Sequence, residues 1–103
     1  MASSNPPKKN QAFAIRIALS DMAVAGSYKA NPTLAAGDFK VDIDGAGLTN
    51  FTNLPTVSPA ASVLVAFSMT AAEMNGDVIT MVCIDQTSPK EWADFVLSIP
   101  TTA

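Results

Sequence analysis

The sequence contains no histidine and only one cysteine, Cys83. Without imidazole, the chain lacks the usual general base and zinc ligand of serine, cysteine and metal-dependent hydrolases. A lone cysteine forms neither an intrachain disulfide nor a thiolate metal cluster, and Cys83 lies in the apolar run 79–84, where it is predicted to be a small core residue. We therefore expect no catalytic residue, no metal site and no cofactor, and a protein that is not an enzyme.

Charge is also scarce. Charged residues make up 15% of the chain and apolar residues 49%, whereas an ordinary soluble domain has about 25% charged residues. The net charge of -3 and the 6 basic residues argue against a nucleic-acid partner, because phosphate binding needs clustered Lys and Arg. A surface of Ser, Thr, Asn and Ala suits contact with neighbouring subunits, since interface centres are depleted in charge. A lightly charged monomer is the alternative.

Long apolar segments are missing too. No run approaches the roughly 18 residues that would span a bilayer, and the first ten residues, MASSNPPKKN, contain no apolar stretch of a secretory signal. We expect no membrane partner and synthesis in a cytoplasm. Pro6 and Pro7, followed by Lys8 and Lys9, favour an extended path, so residues 1–10 are predicted to form an N-terminal arm and residues 11–103 a single domain.

Apolar and polar residues alternate in several short segments, which is the pattern of half-buried β-strands. The segments are 13–19, 39–43, 63–69, 78–84 and 92–99, with a return strand at 48–51 and one further short strand near 24–28. Prolines at 55 and 59 indicate a loop, because proline cannot donate to a sheet ladder. Six to seven strands separated by turn signals predict an all-β, Ig-like antiparallel β-sandwich.

Two turn motifs support this assignment. Asp44-Gly45 supplies the positive φ angles of a tight hairpin. Thr70 and Glu73 have the spacing of a capping box, which predicts one helical turn before Gly76. Asp42 and Asp44 could pair as acid and base or hold a calcium ion, but the glycine comes too early for a calcium loop and the closing glutamate is absent. A turn explains them better.

The candidate interface residues are two aromatic side chains and the arm. On the predicted strand 92–99, the apolar residues Phe95, Leu97 and Ile99 share one face, so Trp92 is predicted to face outward. Tyr28, in a loop rich in Ala, Gly and Ser, is expected to be exposed. Exposed Trp and Tyr rings anchor protein interfaces; they also serve as stacking platforms for sugars. The full candidate set is Pro6, Pro7, Lys8, Lys9, Tyr28 and Trp92.

Several segments resemble a family of small structural proteins of tailed bacteriophages. They are NPTLAAGDFKV at 31–41 followed by Asp44-Gly45, LPTVSP at 54–59, TAAEMNGD at 70–77, and Asp85 with Glu91-Trp92. The likeness covers residues 13–99. The family's module occurs alone or as the first domain of longer fibre-like or baseplate-attached proteins. Because the matching residues are turn, cap and strand positions, the resemblance implies a fold and a virion context but no catalytic residue.

We therefore expect a structural subunit of a tailed-phage virion, assembled in the host bacterial cytoplasm and present in several copies or as a homo-oligomer. It would dock on the capsid or on the tail and collar through protein contacts, as a decoration, cement or attachment protein, while its arm grips a neighbour. The sequence stops at Ala103 without a shaft or receptor-binding domain, which disfavours host recognition. The alternative is a carbohydrate-binding adhesion module on the virion surface.

Overall fold

A computed structural model describes residues 6–102 of the chain, and this part is all-β with no helix. Its seven strands are β1 (Phe13–Ala18), β2 (Phe39–Ile43), β3 (Leu48–Asn50), β4 (Thr56–Val57), β5 (Leu64–Met69), β6 (Val78–Cys83) and β7 (Phe95–Pro100). They form two antiparallel sheets, with strand orders β1-β5-β4 and β3-β2-β6-β7. No helix long and apolar enough to cross a membrane occurs among these residues.

The alternating segments became strands because each has one apolar face to bury. Strand β1 pairs with β5 from Phe13 opposite Met69 to Ala18 opposite Leu64, and β2 pairs with β6 from Phe39 opposite Cys83 to Ile43 opposite Ile79. In these strands one set of alternate residues, such as Val41, Phe67 and Met81, points into a common core between the two sheets, as the period of two dictates. The predicted antiparallel sandwich of two sheets is therefore confirmed at this level.

The centre of the core is a row of aromatic rings that joins the two sheets. Trp92 stacks on Phe39 at 5.4 Å between ring centroids. Phe39 meets Phe67 of the opposite sheet edge-on at 5.5 Å, and Phe67 meets Phe51 at 5.6 Å. Such offset and edge-to-face pairs add stability beyond their buried area. Cys83 is fully buried beside this row, as predicted, and burial raises the pKa of its thiol to about 12.

The hairpin between β2 and β3 confirms the Asp-Gly prediction. Asp44 and Gly45 have positive φ angles of 54° and 82°. The carboxylate of Asp42 accepts hydrogen bonds from the amides of Gly45 and Gly47, both at 2.8 Å. The carboxylate of Asp44 turns the other way and accepts the amides of Asp77 and Val78 at 2.9 Å. These carboxylates therefore organise a turn and its contact with β6.

The capping box at residues 70–73 forms, but the chain turns once without starting a helix. The amide of Thr70 donates to Glu73 Oε1 at 2.8 Å, and the amide of Glu73 donates to Thr70 Oγ1 at 3.1 Å. A single helical hydrogen bond follows, from the amide of Met74 to the carbonyl of Thr70. At Gly76 a side chain would lie 2.5 Å from Ile43 Cγ2, so this turn must pack closely against the hairpin.

Three details differ from the sequence-based expectations. The loop between the two prolines contains the two-residue strand β4, which pairs with β5 through Thr56 opposite Ala66. The segment 24–28 is not a strand; Tyr28 makes only an isolated bridge with Ser20. The last strand begins at Phe95 rather than at Trp92, which has consequences for Trp92.

The described part of the arm lies along the end of its own chain. Lys8 forms a parallel bridge with Thr102. The amide of Thr102 donates to the carbonyl of Pro7 at 2.8 Å, and the amide of Lys9 donates back to Thr102 at 2.9 Å. Lys9 Nζ also reaches Asp77 at 2.6 Å, and this contact raises the pKa of Lys9. Residues 1–5 of the predicted arm lie outside the described residues.

Candidate protein-contact surface

Three loops meet at one end of the sandwich, which we call the loop end. It comprises residues 19–38, 58–63 and 84–94. The strand registers place them together: Ala18 lies opposite Leu64 in one sheet, and Phe39 and Phe95 both lie opposite Cys83 in the other. Loops clustered on a rigid sandwich are the usual place for binding surfaces in β-proteins.

Backbone hydrogen bonds join the three loops. The amide of Asn31 donates to the carbonyl of Ser62 at 2.8 Å, linking the first loop to the second. The amide of Met22 donates to the carbonyl of Glu91, and the amide of Ala93 to the carbonyl of Ser20, both at 3.0 Å, linking the first loop to the third. The loop end is therefore a connected platform rather than three independent segments.

Asp85 is the organising residue of the third loop. Its side chain is buried, and its carboxylate accepts the hydroxyl and the amide of Thr87 at 2.6 and 2.9 Å and the amide of Glu91 at 2.7 Å. Burial on its own would raise the pKa of Asp85, but the hydrogen bonds from Thr87 and from the Glu91 and Trp92 amides hold that pKa below its ordinary value. The charged carboxylate is thus the form that shapes the loop.

Two further carboxylates brace the first loop against the third. Buried Asp38 accepts the amides of Ala35 at 3.2 Å and Gln86 at 3.1 Å. Glu91 accepts both the amide and the hydroxyl of Thr33 at 3.0 Å. Carboxylates bonded to several donors in this way have little freedom left, so the platform is stiff where it meets the sheets.

Trp92 is buried, so the prediction that it faces outward is wrong. Its exposed fraction is 0%, its ring stacks on Phe39, and its indole N–H donates to the carbonyl of Thr33 at 3.3 Å. The alternating pattern of residues 92–99 holds only within β7, which begins at Phe95. Trp92 precedes β7 and makes an isolated bridge with Asp21 instead. Trp92 is therefore a core residue against which the loop end packs.

The tip of the first loop presents the exposed apolar residues. Tyr28 is 61% exposed, in line with its prediction, and Met22 and Val24 are each 54% exposed. The tip is a compact turn: the amide of Asp21 donates to the carbonyl of Ser27, the Asp21 carboxylate accepts the amide of Ala23, and Gly26 has a φ of 82°. Sequence reasoning missed Met22 and Val24, although Asp21 and Gly26 together mark a tight turn that would expose them.

The remaining predicted interface residues lie at the other end of the molecule. Pro6, Pro7 and Lys8 line a shallow depression of about 150 Å³ beside the start of β1. Strand β1 runs from Phe13 at this end to Ala18 at the loop end, because Phe13 pairs with Met69 and Ala18 with Leu64. The structure therefore does not bring Tyr28 together with the arm.

Clusters of metal-ligating side chains and buried carboxylates are the remaining candidate sites in the described residues. No group of three or more His, Cys, Asp or Glu side chains in residues 6–102 is placed to hold a metal ion. Asp38, Glu73 and Asp85 are the buried charged residues of this part, and each is occupied by hydrogen bonds to the chain. In comparisons with known proteins, no family model, no curated protein and no solved structure matches the chain.

Proposed function

We propose that this protein is a structural subunit of a tailed-phage virion that docks on the capsid or on the tail and collar through its loop end. The observation that carries the docking surface is the hydrogen-bonded turn at the tip of the first loop, on which Met22, Val24 and Tyr28 are each more than half exposed. Large apolar side chains held on a stiff support lose little entropy on binding, and aromatic anchors of this kind dominate interface energies. The virion context itself depends on the resemblance in segments 31–41, 54–59 and 70–77.

The sandwich is proposed to be Ig-like. In an immunoglobulin variable domain, strands B, E and D lie in one sheet, and strand C′ lies beside strands C, F and G in the other. The orders β1-β5-β4 and β3-β2-β6-β7 agree with B-E-D and C′-C-F-G when β1 is taken as strand B. The segment that forms the parallel bridge of Lys8 with Thr102 then takes the place of strand A.

No observation favours the carbohydrate-binding alternative. A sugar platform was expected from two exposed rings, and only Tyr28 is exposed among the aromatic residues of the described chain. A sugar site also needs several convergent polar groups, and the tip that carries Tyr28 exposes the apolar side chains of Met22 and Val24. Enzymatic activity forms no part of the proposal, because the buried carboxylates are all engaged in shaping loops.

The test replaces the chain in phage particles by variants of the tip. Met22→Lys places a charge at the centre of the proposed contact without touching the core, and Tyr28→Ala removes the anchor ring; each is expected to reduce the amount of the chain in purified particles at least tenfold, a loss of about 1.4 kcal/mol in binding. Quantitative mass spectrometry of purified particles measures that amount.

A matched control is Leu54→Lys, which adds the same charge at a similarly exposed apolar position before β4, outside both the loop end and the four-stranded sheet. If the tip is the docking surface, Leu54→Lys lowers incorporation much less than Met22→Lys does. Equal loss in both would reject the loop end as the contact, and absence of the unmodified chain from purified particles would reject the virion role itself.

A further inference from the structure

The outer face of the four-stranded sheet is nearly uncharged and lies open to solvent. On β2, β3, β6 and β7 the alternate residues that do not enter the core point to this face. They are Lys40, Asp42, Leu48, Asn50, Val78, Thr80, Val82, Val96, Ser98 and Pro100. Val96 is 61% and Leu48 50% exposed, and only Lys40 and Asp42 carry charge. A solvent-facing sheet surface normally carries many more polar and charged side chains.

The two charges stand in a self-complementary arrangement. Lys40 and Asp42 are two residues apart on β2, so both point outward, and neither forms an ion pair with another described residue. The Asp42 carboxylate accepts two turn amides, which leaves part of its acceptor capacity free. Each charge therefore remains available to a partner of the opposite sign.

We propose that this face binds the same face of a second copy of the chain, with Lys40 of each copy paired to Asp42 of the other. A two-fold axis that lies in the interface plane, runs perpendicular to the strands and passes over Val41 stacks the two β2 strands antiparallel. It sets residue 40 of one copy opposite residue 42 of the other. Such an isologous contact requires a surface that is complementary to itself.

The same axis determines which other rows of the face meet. Strand register places Val82 beside Lys40 and Val96 beside Val82, whereas Thr80 lies beside Asp42 and Ser98 beside Thr80. The two-fold operation therefore lays the valine row of one copy on the hydroxyl row of the other. Thr80 and Ser98 already hydrogen-bond each other at 3.2 Å, which reduces the cost of removing their hydroxyls from water.

The size of the face sets the strength of the contact. Four strands spaced about 4.8 Å apart and about 20 Å long give a footprint of roughly 400 Å² per copy. That is about half the area that each partner contributes to a stable complex of standard size. The free chains should therefore associate only weakly, and the contact becomes important where several copies are held close together, which raises their effective concentration.

Sedimentation equilibrium over about 0.01–1 mM protein tests the proposal in solution, without reference to the virion. The unmodified chain is expected to change from monomer to dimer across this range. Lys40→Glu gives the face two negative charges, and Asp42→Lys gives it two positive charges. Each variant alone is expected to dimerise at least tenfold more weakly than the unmodified chain. An equimolar mixture of the two variants is expected to form heterodimers. That reciprocal recovery distinguishes the predicted pairing from a general effect of charge.

Asp42→Lys also removes a turn acceptor, so its thermal unfolding is measured alongside. Val96→Lys disrupts the face a second time without involving the turn, because the Val96 side chain makes no hydrogen bond. Met22→Lys at the loop end is the matched control and is expected to dimerise normally. A monomeric unmodified chain at the highest concentration would overturn the proposal, as would normal dimerisation of both Lys40→Glu and Val96→Lys. Failure of docking in particles would leave this solution result unchanged.

Discussion

Asp85 is a buried carboxylate on which the shape of a whole loop depends. It accepts three hydrogen bonds from Thr87 and Glu91, and bonds to a charged acceptor are the stronger kind. Replacing one of its oxygens with an amide N–H would set a donor against these donors. We predict that Asp85→Asn lowers the free energy of unfolding at pH 7 by about 2 kcal/mol, measured by urea denaturation.

The pH dependence of that loss follows from the lowered pKa of Asp85. Since the folded-state pKa lies below the unfolded one, the carboxylate stabilises the fold fully at pH values above its ordinary pKa of about 3.9 and loses this effect as the pH falls through the folded-state value. The difference between the unmodified chain and Asp85→Asn should therefore be constant near neutrality and shrink in acid. Asp94→Asn, at an exposed position whose carboxylate pairs with Lys90, is the control and should change stability at pH 7 by less than about 0.5 kcal/mol.

Trp92 shows why residue placement is harder to predict than strand content. Phe95, Leu97 and Ile99 alternate as strand residues do, and extending that pattern three residues toward the N-terminus placed Trp92 on the wrong face. The actual position depends on the bridge to Asp21 and on stacking against Phe39, both distant in sequence. Period-two reasoning contains no information about such contacts, and it fails where a strand ends.

Among the elements, the turn at residues 70–76 connects both sheets at the end opposite the loop end. Glu73 caps Thr70 with one carboxylate oxygen and accepts the amide of Thr52 with the other at 2.8 Å. Thr52 follows β3 and Thr70 follows β5, so this buried side chain joins the two sheets. Removing it would leave both amides without their acceptor.

We predict that Glu73→Ala lowers the free energy of unfolding by about 2–3 kcal/mol and Glu73→Gln by about half as much, because glutamine keeps one acceptor oxygen. Urea denaturation of the two variants measures the difference. A Glu73→Gln variant as stable as the unmodified chain, with Glu73→Ala still destabilised, would mean that packing of the side chain, rather than its hydrogen bonds, stabilises the turn.

The elements that the sequence predicts correctly are those held together by hydrogen bonds between residues close in sequence. The Asp44-Gly45 hairpin and the Thr70-Glu73 capping box formed because each motif is closed by hydrogen bonds between residues a few positions apart. Strand β4 was missed because two prolines flank it and only its pairing with β5 makes it a strand. The loop end could not be predicted from the sequence for the same reason, because the hydrogen bonds that hold it together, such as that from Asn31 to Ser62, join residues distant in sequence.

At the scale of the whole molecule, the candidate contacts lie in different places: the apolar tip at the loop end, the arm at the opposite end, and the outer face of the four-stranded sheet between them. A subunit arranged in this way could dock with one end while its sheet face contacts a neighbouring copy. The low charge of the chain then has a structural explanation, because much of its surface is free to be covered.

The arm gives the last prediction. Residues 7–9 exchange two backbone hydrogen bonds with Thr102, whereas the ion pair of Lys9 with Asp77 is exposed and contributes little. Deleting residues 1–9 should therefore lower the free energy of unfolding by about 1–3 kcal/mol, whereas Lys9→Ala should change it far less. If the arm also grips a neighbour, the deletion should reduce incorporation into particles far more than Glu73→Gln, a variant of comparable stability with an intact arm. Equal incorporation of the two would show that the arm only closes its own sheet.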